Sequence, residues 1–82
     1  MRYQIFLTVE ARDQIRVMPK TLRRRIGEAI SRLETDLSGD VKKLSARQNA
    51  YRLRVGSHRV LFRLDANRLE VYAVKDRKDA YD

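Results

Sequence analysis

The spacing of apolar residues changes along the chain. Tyr3-Gln4-Ile5-Phe6-Leu7 is a short run of β-formers with an apolar centre, which predicts a strand, and the hydroxyl of Thr8 suits the N-cap of a helix. Ala11, Ile15 and Met18 recur at i, i+4 and i+7, one face of a helix running from Val9 to Met18. Pro19 interrupts that helix and also starts the next, since its missing N–H would be unpaired in a first turn anyway. Leu22, Ile26, Ile30, Leu33 and Leu37 follow at spacings of 4, 4, 3 and 4, the strongest periodicity in the sequence. They predict an amphipathic helix of about 16 to 18 residues, stopped by Ser38-Gly39-Asp40, and two helices joined this tightly form a hairpin.

Beyond residue 50 the period falls to two. Tyr51 to Val55 alternates, Gly56-Ser57 signals a turn, His58 to Leu64 alternates again, and Asp65-Ala66-Asn67 makes a second turn before a third strand from Leu69 to Lys75. Between the helices and this meander, Val41 and Leu44 suggest extended chain, whereas Ser45 to Ala50 has the composition of a loop. The expected fold is α+β, with an N-terminal strand and a two-helix hairpin packed on a small antiparallel sheet in the order β-α-α-β-β-β. There is no repeat or linker, so residues 1–82 read as one domain.

Composition narrows the function. Hydrophobic residues at 43% are enough for a packed core, and no stretch approaches the roughly 18 apolar residues of a membrane span. The N-terminus has no apolar segment resembling an export signal, so the cytoplasm is the expected compartment. Without cysteine, and with His58 as the one histidine, neither a thiolate nucleophile nor a His-based metal cluster can be built, and no cofactor or metal is implied. The net charge of +8 favours an anionic partner such as nucleic acid.

That charge is unevenly placed. Residues 1–41 carry 8 basic and 6 acidic side chains, and residues 42–82 carry 11 basic and 5 acidic. Lys42, Lys43, Arg47, Arg52, Arg54, Arg59 and Arg63 all fall between Asp40 and Asp65, where no carboxylate occurs. Alternation puts Arg52 and Arg54 opposite Tyr51, Leu53 and Val55, and Arg59 and Arg63 opposite Val60, Phe62 and Leu64. If the apolar sets face the helices, the four guanidiniums converge on the uncovered face of the sheet. Arginine forks match phosphate oxygens bidentately, so an RNA or DNA backbone suits that face. Any one of these arginines could equally be a solvated strand residue, and Arg23-Arg24-Arg25 with Arg32 reads as a solvated helix face.

The residues that carry these features also resemble a family. The strand, helix hairpin and basic meander, with Met18-Pro19-Lys20, Tyr51-Arg52-Leu53-Arg54-Val55-Gly56, His58-Arg59-Val60-Leu61-Phe62 and the tail Val74-Lys75-Asp76-Arg77-Lys78-Asp79-Ala80-Tyr81, resemble the RelE type of the RelE/ParE toxin superfamily over essentially the whole chain. The resemblance implies a toxin of a type II toxin–antitoxin system: a metal-independent, ribosome-dependent endoribonuclease that cleaves mRNA in the A site and inhibits translation. It implies a cognate antitoxin as partner, in a toxin–antitoxin hetero-oligomer, with the ribosome and mRNA as targets and no membrane. Its active surface maps onto Arg52, Arg54, Arg59, Arg77 and Tyr81, and the further RNA-binding positions are Lys42, Lys43, Arg47, Arg63, Lys75 and Lys78.

In-line attack by an RNA 2′-OH needs a base, cations for the developing phosphorane charge and an acid for the leaving 5′-oxygen. Arg59 and Arg77 suit the charge-stabilising role. Arginines stand at 52 and 54 where well-known members have lysines, and an arginine does not give up its proton, so these two act electrostatically. Tyr81 is the leading candidate for the base, with stacking on an mRNA base or packing on the sheet as its other readings. Asp76 departs from the basic residue common before the tail arginine, and could act as base or pair with Arg77. His58 reads as a turn residue, and Tyr51 and Tyr72 as sheet packing. Two alternatives to the ribonuclease remain: a ParE-like, non-enzymatic inhibitor of DNA gyrase, and a catalytically weak RNA-binding homologue.

Overall fold

In a computed structural model of the chain, residues 2–37, 39–45 and 49–76 are described, Ser45 by its backbone. The elements are β1 (Gln4–Leu7), α1 (Val9–Arg16), α2 (Lys20–Arg32), β2 (Val41–Ser45), β3 (Ala50–Val55), β4 (His58–Asp65) and β5 (Arg68–Asp76).

Thr8 caps α1 as its chemistry suggests: its backbone is extended at φ −69° and ψ 162°, and Oγ1 accepts from the Ala11 N–H at 3.1 Å. Pro19 occupies the N-cap of α2, immediately ahead of the first helical residue. That helix is shorter than its periodicity predicts. Leu33, Glu34 and Thr35 donate to the carbonyls three residues back, a tightening that ends the helix at Arg32. Leu37 still packs against the core, because a chain leaving a helix can keep turning its apolar residues inward.

The sheet has the order β1-β5-β4-β3-β2. Residues 41–45 form a strand of their own, antiparallel to β3 at one edge. At the other edge β1 runs parallel to β5, so the five-stranded sheet is mixed. The helix pair carries the chain from one edge to the other, and the meander β2-β3-β4-β5 returns it strand by strand to β1. Where β1 ends at Leu7, side chains near α1 take over the pairing of β5: Gln14 Oε1 accepts from Val74 N–H at 2.6 Å, and Thr8 Oγ1 donates to the Tyr72 carbonyl at 3.3 Å.

One face of the sheet packs on the helices. Ala11, Ile26, Ile30 and Leu33 meet Leu53, Val55, Val60, Phe62, Leu69, Val71 and Val74, all buried, and the Tyr51 and Phe62 rings stack at 5.5 Å between centroids. Full burial of side chains such as Phe62 contributes roughly 1.5 to 3 kcal/mol each. The opposite face carries no helix among the described residues, and no helix is long and apolar enough to cross a membrane.

Candidate functional site

Residues paired directly across neighbouring strands point to the same side of a sheet, so the register assigns every side chain to a face. Arg54 pairs with Arg59, and Arg59 with Lys75, which sets three cations in one row across β3, β4 and β5. At a strand spacing of about 4.8 Å, the row spans about 10 Å between the outer Cα atoms. In the next row, Lys42, Arg52, Leu61 and Ala73 are in register from β2 to β5, and beyond it Ala50 pairs with Arg63 and Arg63 with Glu70. Arg52, Arg54, Arg59 and Arg63 therefore share the face that the helices leave uncovered, together with Lys42 and Lys75.

Lys43 does not join them. It pairs with Tyr51 on the helix side, its Nζ 5.6 Å from the centre of the Tyr51 ring, because neighbours on a strand alternate and Lys42 already takes the open face. Arg47, Arg77, Lys78 and Tyr81 lie outside the described residues.

Arg52 differs from the solvated strand arginine expected at its position. It is on the open face but only 6% exposed, flanked in register by Lys42 and Leu61 on an interior strand. The row has a carboxylate after all. Asp40, just before β2, accepts the Arg54 N–H through its backbone carbonyl at 3.0 Å, and its two carboxylate oxygens lie 3.8 Å from Nη1 of Arg52 and 3.6 Å from Nε of Arg54. Nε and Nη1 of Arg52 are buried with no hydrogen-bond acceptor among the described residues, so Asp40 offsets the guanidinium charge without satisfying its donors. Asp40 falls where the apolar pattern is silent, and only the pairing of β2 with β3 brings it to Arg52.

Tyr72 is also placed differently from the sequence reading. The β4–β5 register shifts between Leu61 and Phe62, so Ala73 opposes Leu61, Val71 opposes Phe62, and Tyr72 is the extra residue of a bulge. It stands on the open face, with the Arg63 guanidinium 4.1 Å above its ring. No pattern in the sequence marks this bulge.

His58 opens β4 and lies on the helix side, since it pairs with both Val55 and Asp76. Its Nε2 is 3.9 Å from the Asp76 carboxylate, and its Nδ1 is 3.3 Å from Ser57 Oγ. Both are thus separated by the sheet from the cation row. Among the described residues no group of three or more His, Asp or Glu could hold a metal ion. The open face can bind a polyanion and stabilise negative charge that develops between Arg54, Arg59 and Lys75.

The family model for the ParE toxin of type II toxin–antitoxin systems, parDE, matches residues 5–81. No curated protein sequence matches the chain. Among solved structures, the fold is similar to a chain of the archaeal RelE–RelB complex from Pyrococcus horikoshii OT3, with 25% identity, a TM-score of 0.82, and coverage of 98% of this chain and 100% of that one. It is also similar to a chain of the toxin–antitoxin complex RelBE2 from Mycobacterium tuberculosis, at 21% identity over 94% of this chain and 100% of that one, with a TM-score of 0.80. The YoeB dimer from Staphylococcus aureus has a TM-score of 0.73 at 21% identity, covering 92% and 97%.

Proposed function

The chain belongs to the ParE toxin family of type II toxin–antitoxin systems, within the RelE/ParE superfamily, and from that premise we propose that it arrests growth as a ribosome-dependent mRNA endonuclease. The observation that carries this reading is the row Arg54–Arg59–Lys75, three cations in register on adjacent strands of the face without helices.

A phosphodiester lying along that row would meet two guanidinium forks and an ammonium. When the adjacent 2′-OH attacks the phosphorus in line, a bond to the 2′-oxygen forms as the bond to the 5′-oxygen breaks, and negative charge grows on the non-bridging oxygens. Arg59, in the middle of the row, stabilises that charge, with Arg54 and Lys75 on either side and the Arg52–Asp40 pair behind. By the family resemblance Arg77 adds a cation from the tail and Tyr81 takes the 2′-proton, and the 5′-oxygen collects a proton as it leaves. The proposed setting is the cytoplasm. The partner in this reading is a cognate antitoxin, as in the solved complexes of its structural relatives.

Arg59→Ala combined with Arg77→Ala tests the site. The double variant should fold, leave mRNA on translating ribosomes intact, and lose growth arrest; unchanged toxicity would reject the assignment. A second reading, inhibition of DNA gyrase without catalysis, is favoured by the family model being that of ParE. A supercoiling assay separates the two, since gyrase inhibition with mRNA left intact would select it.

A further inference from the structure

The end of the open face away from the cation row is built differently. Phe6, Glu70 and Arg63 stand in register on β1, β5 and β4, and Arg68 follows two residues before Glu70 on the same side of β5. Two guanidiniums here lie on aromatic rings: Arg63 with its Cζ 4.1 Å from the Tyr72 ring centre, and Arg68 with its Cζ 3.9 Å from that of Phe6. At such distances a guanidinium is seated against the ring, which holds its plane in place and leaves its outer side available. Arg63 and Arg68 are exposed, and Phe6 is 37% exposed. Between the two stacks lies Glu70, half-buried and, when ionised, an acceptor of hydrogen bonds only.

A carboxylate in the middle of this end repels phosphate, so it does not simply prolong the backbone track. Flat cations beside an acceptor suit an unpaired nucleobase, which stacks on a guanidinium plane and donates an exocyclic amino proton to a carboxylate. The Arg63 row is four residues from the Arg59 row along β4, about 13 Å at 3.3 Å per residue, so both ends can serve one strand.

We infer that Phe6, Arg63, Arg68, Glu70 and Tyr72 form a nucleobase subsite, which reads one amino-bearing, unpaired base of the RNA whose backbone crosses Arg54, Arg59 and Lys75. The inference rests on the ribonuclease reading and adds what sets its sequence preference. It has two handles. Arg63→Lys with Arg68→Lys keeps both charges and removes both planes, whereas Glu70→Gln replaces a pure acceptor with a group that also donates.

The experiment maps cleavage of an mRNA pool with randomised codons on translating ribosomes. Its readout is the ratio of cleavage at favoured and disfavoured bases within one reaction, which does not depend on how much of a variant is folded. Wild-type protein should show a preference of roughly tenfold for an amino-bearing base at one position, the size expected of stacking plus one hydrogen bond. The double lysine variant should reduce it to about threefold or less, and Glu70→Gln should move it towards bases that present a carbonyl. Wild-type cleavage without base preference, or a preference unaltered in both variants, overturns the subsite while leaving the ribonuclease reading in place. No cleavage by wild type removes both. Intact preference with loss of antitoxin co-purification from the variants assigns these residues to the antitoxin and also overturns the inference.

Discussion

At Arg52 the requirements of folding and of anion binding meet. Its guanidinium is nearly buried in a sheet face otherwise open to solvent, and the one carboxylate paired with it among the described residues, Asp40, is half exposed and 3.8 Å away. Removing a partner from a buried charge costs several kcal/mol when the pair is tight. Here the contact is long and solvated, so Asp40→Ala should destabilise by about 1 to 2 kcal/mol, read as a lower urea midpoint with unchanged slope. The same change should strengthen binding of a polyanion, because Arg54 is freed with it. The alternation of residues 51–55 and 58–64 was sufficient to group Arg52, Arg54, Arg59 and Arg63 on one face, since strand period alone decides side. Asp40 and Tyr72 were beyond its reach: one is placed by a loop and the other by a bulge, and both depend on hydrogen-bond register. For the same reason Lys42 and Lys43, adjacent in sequence and alike in charge, were indistinguishable until β2 was paired with β3.

The elements show where local preference and tertiary structure part. The turns joining β3 to β4 and β4 to β5 each begin with a left-handed residue, Gly56 at φ +61° and Ala66 at φ +56°. Glycine adopts that conformation freely and alanine does not, so Ala66→Gly should raise stability by about 0.5 to 1 kcal/mol in denaturant unfolding. Gly56→Ala should lower it by a similar amount; its new methyl would also approach the Arg25 guanidinium to 3.4 Å, a contact that the flexible arginine can relieve. Helix starts, hairpin turns and the third strand are visible in the sequence because each is a local event. The parallel pairing of β1 with β5 is not, since it joins residues about 64 apart and follows from the helices ending at the far edge. Nor is the way α1 closes the free edge of β5. Gln14→Ala should remove the acceptor of the Val74 N–H, cost about 1 kcal/mol, and speed hydrogen exchange at that amide.

Over the whole molecule, the net charge is +8, and two basic surfaces among the described residues can be told apart by salt. One is the open sheet face; the other is the outer side of α2, where Arg23, Arg24 and Arg25 are exposed. Long-range attraction draws an RNA to either, but only phosphates held in contact release counterions, at about 0.7 log units of affinity per log unit of salt for each phosphate on a single strand. If Lys42, Arg54, Arg59 and Lys75 hold about four phosphates, a log–log plot of single-stranded RNA affinity against salt should have a slope near −3. Arg54→Ala or Lys75→Ala should make that slope shallower by about 0.7, whereas Arg24→Ala should leave both the affinity and the slope nearly unchanged. An equal effect from Arg24 would move the interface to the helix side, and a flat plot would leave the cations as solvated surface. Arg24 is the informative helix position, because Arg25 reaches the end of β3 at Gly56 and lines one cavity with Arg54.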